Sequence, residues 1–305
     1  MANQRSFKDG NIAVIIPCYN YGYFLAEAIE SVLCQTRPPD EILITDDCST
    51  DITMEIALEY QKKYPNLIKY NRNETNLGLV ENFNKGVSLT NSNHISFLSA
   101  DDRFRSDYID KVSEVLVSDC NIGIAYTDLL LFGERAKMVY DEFPNEWKGP
   151  MIKNCHYIIH FPDFDSRAKI LLEKQNFIHG SSMFTRNAFY EVGGFVEKKG
   201  IPVDHNFFLR ITKKGWLARR VPHPILEYRQ HSRSQARIII GLNGELNFYK
   251  ERVKKLEVEL NNIYNSNGWK FLLKYYQIRD RVISEARARW RLAKLFLNIL
   301  GNYKG

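Results

Sequence analysis

The chain has 305 residues, 44% of them hydrophobic, and a formal net charge of +6. That is enough for one large domain or one domain with an appendage, and with no run of 18 apolar residues it excludes a simple membrane-spanning helix. The positive charge is concentrated at the end, where residues 268–305 carry nine Lys or Arg against Asp280 and Glu285. The rest is near neutral and does not recruit its partner through a general positive field.

Ile12-Ala13-Val14-Ile15-Ile16 is a continuous run rich in β-branched residues, which predicts a strand buried on both faces. Pro17 is expected to end it. After the turn Cys18-Tyr19-Asn20-Tyr21-Gly22, an amphipathic helix places Phe24, Ala28, Ile29, Val32 and Leu33 on one face. Arg37-Pro38-Pro39-Asp40 breaks it. Ile42–Thr45 is a second buried strand ending in Asp46-Asp47, and Ser49 or Thr50 is expected to cap the next helix, with Ile52, Ile56, Ala57 and Tyr60 at helical spacing. Leu67–Tyr70 reads as a third strand, 78–89 as a helix, and the stretch through Ile95 and Phe97 as a strand that ends in Asp101-Asp102.

This alternation specifies a doubly wound, mostly parallel α/β sheet. Two strands end in acid pairs, and the carboxyl ends of parallel strands share one edge, so both pairs should face one crevice. Adjacent carboxylates must be solvated, paired or bound to a cation, and Mg²⁺ is typically held by one or two carboxylates together with substrate phosphates. The plainer reading of Asp46-Asp47 is a helix cap. The first strand is followed by neither a glycine-rich dinucleotide fingerprint nor a P-loop, which removes the two commonest nucleotide-binding readings.

Val14-Ile15-Ile16-Pro17-Cys18-Tyr19-Asn20, Leu33-Cys34-Gln35-Thr36, Ile44-Thr45-Asp46-Asp47-Cys48-Ser49-Thr50-Asp51, Asn76-Leu77-Gly78 and Phe97-Leu98-Ser99-Ala100-Asp101-Asp102 resemble the family 2 glycosyltransferases, in that family's order and spacing. The resemblance covers roughly residues 10–235. It implies the GT-A fold, a nucleotide-diphosphate sugar donor leaning to UDP, Mg²⁺ or Mn²⁺, and inversion at the anomeric carbon. Carried over to this chain, it puts Pro17, Tyr19 and Asn20 around the nucleobase. Asp47 accepts a hydrogen bond from the base, and Asp46 shapes the turn. Ser99 stands where the first acid of the family's Asp-x-Asp motif often lies. Ala100 then sits at the donor, and Asp101 and Asp102 are the candidate metal ligands, with the choice between them open.

Residues 104–117 read as an amphipathic helix and Ile122–Tyr126 as a strand, after which the pattern dissolves from Leu131 to about Phe164. Trp147 in that stretch is suited to stacking on a sugar, though a packing role is favoured. Val192-Gly193-Gly194-Phe195 continues the family pattern, and Asp204 falls where its members carry the catalytic base. Independently, Asp204 precedes Phe207, Phe208 and Ile211, which bury one helix face and fix the carboxylate at a helix start. Leu217–Val221 and Ile225–Tyr228 read as two short strands. Tyr228–Gln235 resembles the family's loop over the diphosphate, where His231 or Arg233 meets the phosphates or metal; a solvated surface loop is the equal alternative.

From Asn243 onward the chain looks helical and unlike the core, so the expected division is a catalytic domain over 1–235 and a basic helical extension over 236–305. Basic residues with Trp, Leu and Phe in 268–305 suit an anionic membrane face; packing on the core or a homo-oligomer interface are the alternatives, and nothing reads nucleic-acid bases. Five cysteines fit no metal-ligand spacing and read as reduced thiols. With a polar N-terminus lacking the apolar core of a secretory signal, they point to the cytoplasm, peripheral on the inner membrane face. In that compartment the sequon Asn73-Glu74-Thr75 is idle. The expected acceptor is a hydroxyl of a glycan or lipid-linked glycan. The rivals are a nucleotidyltransferase, which would want a basic, glycine-rich turn after the first strand, and a non-catalytic nucleotide-sugar-binding or membrane-docking module.

Overall fold

The structure is a computed structural model that describes residues 10–152 and 155–231, and in the C-terminal region 253–254, 256–257, 281–286, 289–290 and 292. The chain divides into two units, Met1–His231 and Ser232–Gly305. In the second unit, 281–286 is helical, and Trp290 and Leu292 on neighbouring helical positions are exposed. No helix among the described residues is long and apolar enough to cross a membrane.

The first unit begins as the apolar runs dictate. β1 (Ile12–Cys18), α1 (Gly22–Leu33), β2 (Glu41–Asp46), α2 (Thr53–Lys63), β3 (Ile68–Arg72), α3 (Leu79–Ser88) and β4 (His94–Phe97) alternate, and β3-β2-β1-β4 are paired in parallel. β1 does not stop at Pro17, which pairs with Thr45. Even-numbered carbonyls of β1 point toward β2 (Asp47 N to Cys18 O, 2.9 Å) and odd ones toward β4 (Leu98 N to Ile15 O, 2.9 Å). The missing N–H of Pro17 therefore faces the side where β4 has already left the ladder after Ile15↔Phe97, so no ladder bond is lost. Ser49 and Thr50 do not cap α2. Its N-terminal Thr53 N–H is taken by Asp51 Oδ1 at 3.0 Å, while Ser49 and Thr50 bind across to Asn20.

Beyond β4 the sheet becomes mixed. β5 (Arg103–Phe104), α4 (Tyr108–Ser118), β6 (Ile122–Phe132), α5 (Ala136–Glu142), β7 (Lys148–Ile152), β8 (His156–Ile159), α6 (Ser166–Leu172), β9 (Met183–Thr185), α7 (Arg186–Glu191), α8 (Val203–Lys213) and β10 (Leu217–Arg229) follow in sequence. The sheet order is β3-β2-β1-β4-β9-β6-β10-β5, with β8 and then β7 branching from β6. β9 runs antiparallel to both β4 and β6, so β4, β6 and β10 all point the same way. The carboxyl ends of β1, β2, β4 and β10 thereby lie on one sheet edge.

Three expectations need correction. The helix after Asp102 starts at Tyr108 because Arg103 and Phe104 are drawn into a two-residue strand against Glu227 and Leu226. The stretch 131–164 is structured: β6 extends to Phe132, and α5, β7 and β8 follow, each too short to show a period. The two short strands near the end are one strand, β10, with register shifts around Pro224 that absorb a proline the ladder cannot bond. Trp147 is a packing residue, 5% exposed, edge-on to Phe161 at 5.5 Å and Phe177 at 6.3 Å.

Candidate active site

At the β1 and β2 ends, two loops are clamped together. Asn20 takes a left-handed φ of 58°, which asparagine tolerates. It donates its N–H to Ser49 Oγ at 2.9 Å, while its Oδ1 accepts from Thr50 N at 2.8 Å. Asp46 is fully buried and spent on structure, accepting from Ser49 N at 2.8 Å and from the Tyr70 hydroxyl at 2.7 Å. Asp47 accepts from Asn73 Nδ2 and Leu77 N, both at 2.8 Å on Oδ1, and from Gly78 N at 2.9 Å on Oδ2. Asp47 is 4% exposed, and its Oδ2 accepts one of these bonds against two on Oδ1. Gly78 has φ 82° at that latch, a conformation that suits glycine. Asn73, the residue of the sequon, is 2% exposed and buried in this network. All five cysteines are free thiols.

The second acid pair splits in two. Asp102 is 2% exposed and accepts the Arg229 N–H at 2.9 Å; burial first, then the neighbouring Asp101 charge, hold its carboxyl well above the usual carboxylate range. Asp101 keeps the more open carboxylate, with its Oδ2 3.1 Å from His231 Nε2. Ala100 beside it is buried. His231 is wedged against Phe24, with ring centroids 4.7 Å apart, and Tyr21. Arg229 ties the corner together. Its Nε donates to the Asp101 carbonyl at 2.8 Å, and its guanidinium lies over Phe24 and Phe132. Arg233 lies outside the described residues, as does nearly all of the extension.

Asp204 is the second residue of α8, whose cap position is Pro202, so its carboxylate does not serve as the N-cap. The helix is anchored by Phe207, Phe208 and Ile211, all fully buried, with Phe207 packed on Phe195 at 4.0 Å. Asn176 Nδ2 donates to Asp204 Oδ2 at 3.0 Å, and burial pushes this half-buried carboxyl above its ordinary value. The fixed helix and the Asn176 bond hold the carboxylate in one direction, as proton abstraction needs. Elsewhere in the unit, burial lowers the His179 imidazole to about 3, and Thr127 N donates to its Nε2 at 3.2 Å.

The Tyr228 phenol is pushed up by burial and then by the charges of Asp102, Asp101 and Asp204 in that order, and the side chain is 38% exposed. Sequence reasoning passed over Tyr228, Asn176 and His179. It also missed Asp128, a fully buried acid on β6 held by Arg220 Nε and Nη2 at 2.8 Å each and by His160 Nδ1 at 2.8 Å.

Asp101 Oδ2 and His231 Nε2 are oxygen and imidazole donors separated by about the distance, near 3 Å, of two adjacent ligands on an octahedral ion with bonds of about 2.1 Å. The donor set fits Mg²⁺ or Mn²⁺ with the balance of ligands from phosphate and water. Among the described residues no cluster of three or more His, Cys, Asp or Glu holds an ion by itself.

The model of the family described as Glycosyl transferase family 2 matches residues 13–193. A glycosyltransferase of Haemophilus influenzae is 25% identical over 252 residues, covering 80% of this chain and 72% of its own length. Among solved structures, S. aureus TarS 1-349 in complex with UDP-GlcNAc has a TM-score of 0.56 at 18% identity, over 73% of this chain and 60% of that one. The mannosyltransferase PcManGT of Pyrobaculum calidifontis, in complex with GDP-Man and Mn2+, has a TM-score of 0.54 at 15% identity, over 88% and 69%. The fold is that of the GT-A glycosyltransferases.

Proposed function

The chain belongs to glycosyltransferase family 2, and from that premise we propose that it is a metal-dependent, inverting enzyme that moves a hexosyl group from a nucleotide-diphosphate donor, a UDP-sugar by preference, to a hydroxyl of a glycan or lipid-linked glycan. The observation that carries the reading is the presence of two unlike acid sites in one unit: a largely buried carboxylate–imidazole pair, Asp101 and His231, after β4 and β10, and a directed carboxylate of raised pKa, Asp204, at the start of α8.

Asp101 and His231 hold the divalent ion, which when bound neutralises the diphosphate and makes the nucleotide a better leaving group. Pro17, Tyr19, Asn20 and Asp47 receive the nucleobase at the adjoining strand tips; Asp46 keeps that turn in shape. Asp204 takes the proton of the acceptor hydroxyl as its oxygen bonds to the anomeric carbon. The carbon–oxygen bond to the diphosphate breaks on the opposite face, and its electron pair leaves with the nucleotide. The raised pKa of Asp204 makes it a stronger base than an ordinary carboxylate. Arg233 is assigned to the phosphates only by the likeness of Tyr228–Gln235 to the family's loop over the diphosphate.

The relatives support a nucleotide-sugar donor: TarS is seen with UDP-GlcNAc and PcManGT with GDP-Man and Mn2+. The basic segment 268–305, with Trp290 68% exposed, supports docking on the anionic inner face of the cell membrane, where a cytoplasmic enzyme meets lipid-linked acceptors. Calorimetric titration of nucleotide sugars with and without Mn²⁺, followed by product detection, tests the central reading. Failure to bind any uridine or guanosine diphosphate sugar would reject it. Pelleting with anionic liposomes, with and without 268–305, tests the docking, which equal pelleting would refute.

A further inference from the structure

We propose that Glu27, on α1, is a positioning residue for the Asp101–His231 pair: it holds the two arginines that keep the ligand-bearing segments after β4 and β10 together. The inference rests on the metal-dependent transferase reading and adds to it the residue that sets the geometry of the ion site.

One face of α1 grips both segments. Phe24, Glu27 and Ser31 are spaced i, i+3, i+7 along the helix and so lie on one side of it. Ser31 Oγ accepts from Phe104 N at 3.1 Å. Just past the helix end, Gln35 Nε2 donates to Arg105 O at 2.7 Å, and its Oε1 accepts from Ile109 N at 2.9 Å. These bonds seat the chain that leaves Asp101 and Asp102. Phe24 meets the other segment, its ring 4.7 Å from the His231 ring and 4.9 Å from the Arg229 guanidinium.

Glu27 joins the two. Its Oε2 accepts from Arg103 Nη1 at 3.1 Å and from Arg229 Nη2 at 2.6 Å. Both guanidiniums also lie over the Phe132 ring, 4.3 Å and 4.5 Å from its centroid, so two like charges share a small space and need an anion beside them. Arg103 has a second carboxylate, Glu227, at 2.7 Å. For the Arg229 side chain, Glu27 is the only paired carboxylate among the described residues. Arg229 in turn donates Nε to the Asp101 carbonyl at 2.8 Å and N to Asp102 Oδ1 at 2.9 Å, and it stands two residues before His231.

Stability alone does not account for this arrangement. The Glu27 side chain is 48% exposed, and ion pairs of that exposure contribute little to folding. What Glu27 fixes is direction. Without it the Arg229 guanidinium can turn, which loosens the Asp101 backbone and the residues that lead into His231. Two ligands share one ion only while they keep its coordination spacing, so the loosening falls on metal affinity.

The test separates positioning from support of the fold. Wild type, Glu27→Ala, Glu27→Gln and Glu30→Ala are titrated with UDP and with GDP, once with Mn²⁺ and once with a chelator in its place, beside a urea melt of each. Glu30 is the control on the same helix, where its Oε1 accepts from the Tyr60 hydroxyl of α2 at 2.8 Å. Glu27→Ala is expected to weaken Mn²⁺-dependent binding about 10-fold, the lower end for a partner behind a metal ligand, with binding in chelator within about 2-fold and the urea midpoint nearly unchanged. Glu27→Gln keeps an acceptor and loses the charge, so a loss of about 3-fold is expected. Should Glu27→Ala fold poorly, Glu27→Gln is read in its place by the same criteria. Glu30→Ala is expected to match wild type in Mn²⁺. A Glu27 variant that matches wild type in Mn²⁺ overturns the inference. So does an equal loss in Glu30→Ala, or an equal loss with and without Mn²⁺, either of which makes Glu27 a general prop of the helix. Wild type whose binding ignores the chelator refutes the metal-dependent reading and this inference with it, an outcome read from wild type alone and distinct from a variant that matches it.

Discussion

The Asp101 carboxylate and the His231 imidazole, 130 positions apart in sequence, meet at 3.1 Å where the tips of β4 and β10 come together. Each is held from behind. Asp101 is tied through its carbonyl to Arg229, and His231 is tied through its ring to Phe24. On the metal-dependent reading proposed above, the pair would serve as a preformed acceptor for one divalent ion, because the ordering cost of bringing the two donors together has already been met by the fold.

Removing either donor should therefore cost metal-dependent binding and leave the fold intact. Loss of one outer-shell partner of a metal typically costs 10–100-fold in affinity, and a direct ligand should cost no less, so Asp101→Asn or His231→Ala is expected to weaken Mn²⁺-dependent nucleoside diphosphate binding by about 100-fold. Calorimetry with and without a chelator checks it. Binding that the chelator does not change in wild type would remove the metal from the scheme.

Asp204→Asn should lower turnover by roughly 10²–10⁴-fold, the usual worth of a positioned general base, with nucleotide affinity unchanged. Asn176 can still bond the new amide oxygen, so the geometry survives the change. Because burial raises the Asp204 pKa, its deprotonated fraction rises with pH through a midpoint above 3.8. The acidic limb of kcat/KM against pH should accordingly lie above that of an ordinary aspartate. Retained turnover in Asp204→Asn would withdraw the base assignment.

The parallel half of the sheet was legible because β1 and β2 are buried on both faces and spell near-continuous apolar runs, while β4 carries Ile95 and Phe97 at alternate positions. The acid pairs were legible because carboxylates at the end of such runs need a reason. The division of labour within each pair was not. Which of Asp101 and Asp102 is the more exposed depends on β5 pairing with β10 over two residues, and a strand that short leaves no pattern of its own. Pro17 misled in the opposite way, because its cost depends on which neighbour its missing N–H would have faced.

His179 makes stability pH-dependent. Its folded-state value is lowered to about 3 by burial, against about 6.5 in the unfolded chain, so between those values the unfolded state binds the extra proton. Stability from this group is fully present above pH 6.5 and is lost as the pH falls from there toward 3; His94, also lowered by burial, acts with the same sign. Urea melts across that window should show falling stability. His179→Gln, which keeps a neutral acceptor for the Thr127 N–H, should flatten the slope. An unchanged slope would place the acid sensitivity elsewhere.

The loop that presents Tyr19 and Asn20 depends on the absence of a side chain at Gly22. This residue opens α1 and donates its N–H to Asp51 Oδ2 at 2.9 Å, pressing the loop against the start of α2. A Cβ there would stand 2.7 Å from the Thr53 backbone nitrogen and 2.7 Å from Ile52 Cγ1, and backbone cannot step aside cheaply. Gly22→Ala should therefore destabilise by roughly 1–3 kcal/mol, the range for overpacking a tight contact. It should also weaken nucleotide binding, since the Asn20 clamp on Ser49 and Thr50 must shift with it. Gly180→Ala is the control. Its Cβ would meet Asp204 Cβ and Oδ2 at an ordinary 3.7 Å, so the fold should tolerate it. Urea denaturation of both variants, with nucleotide titration of Gly22→Ala, distinguishes a steric wedge between the two loops from a general intolerance of added methyl groups; equal stability of the two would sink the wedge.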